Sequence, residues 1–196
     1  MLLCFSKKGR SNIKTIYLIM GRSGVGKTTL VEALCEREGY KQIYSYTTRE
    51  PRTPDEKGHI FIPRASYKNL DDLKTQYPDR VAETLFAGNY YFSTEKQAEQ
   101  CDLYVIDPAG VRTFKERYKG KKKVKVVLLK CMKFMAERRM AARGDSEVMI
   151  KERLANDDDV MFAGAEELAD VVLYNDVFEQ TYQQLNEYIK TGKVKE

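Results

Sequence analysis

Little in this chain suits metal ligation or disulfide stapling. It has a single histidine, His59, with no second histidine and no cysteine near it. Its four cysteines, Cys4, Cys35, Cys101 and Cys131, are widely spaced and form no CxxC pair. That spacing excludes a zinc-finger framework and reads as four reduced thiols in a cytoplasmic protein. No apolar run approaches membrane-spanning length, so no membrane partner is expected. Met1 to Phe5 is apolar but too short for a signal sequence, and charge follows it instead of preceding it. There is no internal repeat. A strong charge excess is also missing: the formal net charge is +5. That balance suits small anionic substrates and is too weak to imply nucleic acid.

What is present is a globular composition. Of 196 residues, 42% are hydrophobic and 32% charged, which fits one α/β domain with a core and excludes a disordered chain. Residues 1–12 read as a flexible lead-in. Ile13 to Met20 reads as a buried strand, and Lys27 to Glu38 as a helix closed by Gly39. Gln42 to Arg49 reads as a strand. Pro51 and Pro54 then exclude helix and central strand. Extended pieces follow at 59–63, 80–87 and 89–94, with a helix around Ser66 to Lys74. Asp102 to Asp107 and Lys125 to Cys131 read as buried strands, and Lys121 to Lys123 as a solvated turn. Phe134 to Arg143 and Glu147 to Asn156 read as helices, the second capped by Asp145 or Ser146. Asp170 to Tyr174 reads as the last strand and Val177 to Lys190 as the last helix.

Strands alternating with helices predict a parallel sheet flanked by helices. The consecutive extended segments of 42–96 break that rhythm. They predict a mixed β/α insertion at the carboxyl edge of the sheet, where ligands bind in such folds. The core is then 13–41 and 97–196, with a helical lid at about 138–158.

The strongest motif is Gly21-Arg22-Ser23-Gly24-Val25-Gly26-Lys27-Thr28, a full GxxxxGK[ST] between strand and helix. Its glycines let backbone N–H groups converge on phosphate oxygens, and the helix dipole adds positive potential. Lys27 reaches β- and γ-phosphates and Thr28 ligates Mg²⁺ in this pattern.

Other anion-handling residues are less specific. In the proline-held stretch, Arg49 and Arg52 share a side if the backbone turns once in about three residues. They form either a phosphate clamp or two solvated arginines. Arg139 and Arg143 share a helix face, and Arg153 lies on the next helix. These three either close over a transferring phosphoryl group or make an ordinary charged face. Strand alternation puts Asn89, Tyr91 and Ser93 on one face, opposite Tyr90 and Phe92. Asp107, ending a strand, either faces the phosphate loop, holding Mg²⁺ through water or meeting a base, or caps the helix after Pro108.

Taken together, these residues resemble the guanylate kinase family from about Ile16 to Tyr188. Beyond the loop, the resemblance rests on Thr47-Thr48-Arg49-x-x-Arg52, Gly88-Asn89-Tyr90-Tyr91, Asp107-x-x-Gly110, Arg139 with Arg143-Gly144, Arg153-Leu154, and Asn175-Asp176. It implies ATP- and Mg²⁺-dependent phosphorylation of GMP or dGMP. Gly21 to Thr28, Thr29 and Asn175 would bind ATP, with Asn175 near the adenine. Arg49, Arg52 and Tyr91 would take the acceptor phosphate, and Ser45, Glu83, Ser93 and Asp107 would lie toward its base. Lys27, Arg139, Arg143 and Arg153 would carry the transfer. Where family members usually carry Asp two residues before Asp107, this chain has Val105, and His59 or Ile60 falls where they carry a phosphate-binding Tyr. The alternatives are a kinase of another small phosphate monoester and a non-catalytic binding module of the same fold. The intact Lys27 and Thr28 weigh against the second.

Overall fold

The protein was analysed as a computed structural model, which describes residues 14–51, 54–86, 88–157 and 160–194. The lead-in expected at 1–12 lies outside them, as do Cys4 and Arg52. In chain order the elements are β1 (Thr15–Met20), α1 (Lys27–Glu38), β2 (Gln42–Ile43), β3 (Ser45–Thr47), β4 (His59–Phe61), α2 (Leu70–Gln76), β5 (Arg80–Phe86) and β6 (Asn89–Thr94). They continue with α3 (Glu95–Gln100), β7 (Leu103–Val105), α4 (Pro108–Arg117), β8 (Lys123–Lys130), α5 (Lys133–Ala142), α6 (Glu147–Asn156), α7 (Ala165–Leu168), β9 (Val171–Tyr174) and α8 (Phe178–Thr191).

The core sheet runs β2-β7-β1-β8-β9, with every pairing parallel. β1 is central and almost wholly buried, as an apolar run in a doubly covered sheet should be. Alternation sorts its side chains. Ile16, Leu18 and Met20 pack with Phe114 and Val111 of α4, while Tyr17 and Ile19 pack with Leu30 and Leu34 of α1 and Leu185 of α8. The fold is therefore α/β, with helices on both faces of a parallel sheet.

A second sheet, β4-β3-β6-β5, is mixed: β3 and β4 are parallel and the other pairs antiparallel. Tyr90 and Phe92 of β6 pack with Ile62 and Leu73, with Tyr46 and Tyr77 beside them. Tyr91 points to the opposite face, as alternation requires.

Several local expectations need correction. The single strand over Gln42 to Arg49 is two strands in different sheets, because the chain leaves the core sheet at Tyr44. The helix around Ser66 to Lys74 begins at Leu70, after a 3-10 turn at Arg64–Ser66. Asn69 fixes that start by accepting from the Asp72 backbone N–H at 2.8 Å, and Asp71 and Asp72 favour the first turn. Helix α3 was not expected. It is only six residues long, but Thr94 and Gln97 form a reciprocal capping box that starts it. Lys122 is not solvated: its ammonium donates to the Cys101 carbonyl at 2.5 Å and lies 3.8 Å from Asp102. Ser146, not Asp145, caps α6 by accepting from the Met149 N–H.

Candidate active site

The loop between β1 and α1 is shaped by glycines where nothing larger fits. Gly24 has φ +75°, and an added Cβ would stand 2.6 Å from the Ala136 carbonyl oxygen of α5. Gly26 has φ +93°, and its Cβ would stand 2.4 Å from the Asn175 amide nitrogen. These close approaches dock the loop onto α5 and onto the end of β9. Helix α1 starts with no side-chain cap hydrogen bond and no acid in its first turn. Its N-terminal amides thus stay available to an anion.

Asn175 and Arg139 brace this loop from below. The buried Asn175 side chain donates to the Val25 carbonyl at 2.7 Å. Arg139 donates to the Asn175 carbonyl at 2.7 Å and to the Val25 carbonyl at 3.4 Å. Lys27 folds back onto the loop, donating to the carbonyls of Gly21 at 2.5 Å and Arg22 at 2.9 Å. Burial pulls its pKa down to about 8, against the pull of the Asp157 and Asp107 carboxylates.

Two cavities meet at Lys27. The larger, ≈ 640 Å³, is lined by Ser23, Gly24, Gly26, Lys27, Thr28, Thr29, Arg139, Arg143, Arg153 and Asn175. Arg139 and Arg143 of α5 and Arg153 of α6 thus line one cavity with the phosphate loop. In this state two of them hold an internal anion. Asp145 lies 2.5 Å from Arg143 and 3.3 Å from Arg153. Nothing local in the sequence shows an acid reaching both arginines, and Asp145 stands there only as a cap candidate.

The smaller cavity, ≈ 230 Å³, is lined by Lys27 together with Ser45, His59, Glu83, Thr84, Tyr91, Tyr104, Val105, Asp107 and Asp157. Ser45 pairs with the Tyr104 phenol at 3.1 Å. Ser93 is fully buried and is not among the walls of this cavity. His59 sets its ring edge-on to Tyr91 at 5.5 Å. Asp107 caps a helix and also faces the cavity. Its Oδ1 caps α4, accepting from the Gly110 N–H at 2.8 Å and from Thr84 at 3.2 Å, while its side chain lines the cavity.

Glu83 is the most heavily bound carboxylate here. It meets Arg117 at 2.7 Å, Arg80 at 3.3 Å and the Tyr90 phenol. Burial works against its charge, but Arg117, Tyr90 and Arg80 overcome burial and hold its pKa down at about 2. Arg49 does not line the cavity. Its guanidinium is ion-paired with Glu56 at 2.7 Å and lies over the Phe61 ring at 5.3 Å. The expected Arg49–Arg52 clamp is therefore described only at Arg49, which is engaged with an acid.

Asp157 was missed altogether. It closes α6, and its carboxylate accepts from the Ser23 backbone N–H while its carbonyl accepts from Arg22. Arg22 also lies over the Phe162 ring at 4.9 Å. The end of α6 is thereby tied to the phosphate loop through contacts 134 and 135 residues apart, which no local pattern announces.

Comparison with known proteins agrees with this geometry. A family model described as AAA domain matches residues 18–161. The guanylate kinase of Haemophilus influenzae is 27% identical over 193 residues, covering 91% of this chain and 88% of that protein. That of Prochlorococcus marinus is 29% identical over 191 residues, covering 92% and 99%. A crystal structure of guanylate kinase from Anaplasma phagocytophilum shares the fold, with a TM-score of 0.60 at 18% identity, covering 92% of this chain and 87% of that one. The chain belongs to the AAA-domain family, a phosphate-loop class in keeping with its first strand, loop and helix. Within that fold its similarity runs to the guanylate kinases, over about nine-tenths of its length.

Proposed function

We propose that this protein transfers the γ-phosphoryl group of ATP to GMP or dGMP, giving ADP and GDP or dGDP. The observation that carries this reading is the sharing of Lys27 by two cavities. One has a phosphate loop and three lid arginines. The other has carboxylates suited to the N1–H and exocyclic amine of guanine. An acceptor phosphate oxygen attacks the γ-phosphorus, the bond from that phosphorus to the bridging oxygen breaks, and ADP leaves. Positioning and charge neutralisation supply most of the catalysis in such a transfer.

In this reading Gly21 to Thr29 cradle the ATP phosphates, and Asn175 supports the loop near the adenine side. Lys27, Arg139, Arg143 and Arg153 stabilise the charge that develops between the two nucleotides. Arg49, Arg52 and Tyr91 take the acceptor phosphate, once Glu56 yields Arg49. Ser45, Glu83 and Asp107 read the base, with Ser93 behind them. The donor set also fits Mg²⁺. The Thr28 hydroxyl is a hard oxygen on the wall of the phosphate cavity, and Asp107 Oδ2 accepts no hydrogen bond among the described residues. A site with so few protein oxygens suits an ion that keeps its waters and binds mainly through substrate phosphates. Bound there through Thr28, with Asp107 acting through water, Mg²⁺ would neutralise phosphate charge. The reading carries with it a cytoplasmic location, where ATP, GMP and reduced thiols coexist.

ADP formation measured with GMP, dGMP, AMP, CMP and UMP tests the assignment. Guanine nucleotides should be turned over far faster than the rest. Equal rates across the set, or none with GMP and dGMP, would sink it.

A further inference from the structure

The acceptor cavity carries three carboxylates, Glu83, Asp107 and Asp157, and they differ in how much of their hydrogen-bonding capacity is left. An ionised carboxylate offers about four lone-pair sites. In Glu83 three are engaged. Oε2 accepts from the Tyr90 phenol and meets Arg80 Nε at 3.3 Å. Oε1 is held by Arg117 Nη2 at 2.7 Å. The remaining site lies on Oε1, so the atom left for a ligand is the atom that Arg117 fixes.

Arg117 does not line the cavity itself. It is the last residue of α4, a helix packed against both the core sheet and β5, the strand that carries Glu83. The two remaining donors come from the second sheet itself: Arg80 from the same strand and Tyr90 from β6. Arg80 is 13% exposed and also bonds the Lys74 and Tyr77 carbonyls, so it serves the local fold. Arg117 is 40% exposed, and the pairing with Glu83 is its contact with the site.

We propose that Arg117 is a positioning residue that sets acceptor selectivity, holding Oε1 of Glu83 as a charged acceptor for a purine N–H donor. This rests on the reading of the chain as a guanine-nucleotide kinase and goes beyond it by placing part of the selectivity on a residue outside the cavity wall. A carboxylate kept ionised can only accept, which favours a 6-oxopurine with its N1–H over a 6-aminopurine whose N1 is itself an acceptor. Without Arg117, burial raises the Glu83 carboxyl back toward its ordinary range, with only Arg80 and Tyr90 opposing. A protonated or rotated Glu83 then loses its preference.

The test uses the full chain with Arg117→Met and Arg117→Lys. Kinetics with GMP and AMP at saturating MgATP are followed from pH 5 to pH 8, with thermal unfolding alongside. In Arg117→Met the KM for GMP should rise about tenfold with kcat nearly unchanged, and the GMP-over-AMP preference should fall. The loss relative to the unmodified protein should widen as pH falls, because that ratio cancels the titration of GMP itself. Arg117→Lys should restore the flat ratio, since it keeps the charge. An unchanged KM for GMP in Arg117→Met would overturn the proposal. So would a fall in kcat and melting temperature together with a pH-independent ratio, which marks a purely structural role. If Arg117→Met does not fold, Arg117→Gln carries the same pH comparison. Absence of GMP turnover in the unmodified protein would fall on the proposed function instead, and GMP titration calorimetry on the same variants would still decide the role of Arg117.

Discussion

The two cavities that share Lys27 are made of different material. The donor cavity is built around a backbone cradle, a glycine loop and the first turn of a helix braced by Asn175 and Arg139, with Arg143 and Arg153 facing it. The acceptor cavity is largely side chain, drawn from β3, β4, β5, β6 and β7 with Asp107 at the cap of α4, and about a third the size by the two volumes. A backbone-built site depends on chain geometry and tolerates little change. A side-chain-built site can be retuned one residue at a time, and Val105 and His59 stand in it where the family resemblance expects Asp and Tyr.

The largest effect should come where the two meet. Lys27→Met should lower phosphoryl transfer by about a thousandfold with every acceptor, because it removes a charge used by both sides. Pre-steady-state transfer on a folded variant checks this, and a loss confined to one substrate would break that symmetry. Next, Glu83→Ala should raise the KM for GMP by about tenfold to a hundredfold while leaving the KM for MgATP unchanged. A matching change on the ATP side would mean that the cavities are not separable.

The smallest effect is one of pH. With its pKa pulled down to about 8 by burial, Lys27 loses its charge in the empty protein as pH rises through that value. The KM for MgATP should therefore climb by up to about tenfold between pH 7 and pH 9, as the charged fraction falls. The contribution of Lys27 to folding runs the other way. Its folded pKa lies below the ordinary lysine value of 10.5, so the unfolded chain binds more protons between about 8 and 10.5, and this contribution rises with pH there. ATP titration and denaturant unfolding over the same pH series would separate the two trends.

What could be read from the sequence follows the same division. The phosphate loop was legible because its chemistry lies in consecutive residues at fixed spacing between a strand and a helix. Arg139 and Arg143 were legible as a pair because helical periodicity puts them on one face, and alternation in β6 placed Tyr91 opposite Tyr90 and Phe92. Asp157 on Ser23, Arg117 on Glu83 and Asn175 under Val25 were not legible, since each joins residues distant in the chain. The split of the strand at Tyr44 was hidden for a related reason. Local propensity is extended on both sides, and only tertiary pairing assigns the halves to different sheets. Helix α3 was missed because six residues carry too little periodicity, although its capping box was present to be found.

Asp145 makes the lid something like an ion-exchange resin already loaded with its counter-ion. Arg143 and Arg153 do not face an empty site as bare cations; they carry a carboxylate from their own hinge. Nucleotide phosphates arriving there would swap one anion for another, and the displaced anion stays tethered to the chain. Part of the electrostatic gain on binding is thus spent on releasing Asp145, and fewer solution anions are set free. The salt dependence of ATP affinity should be shallower than a tally of the arginines in the cavity would suggest.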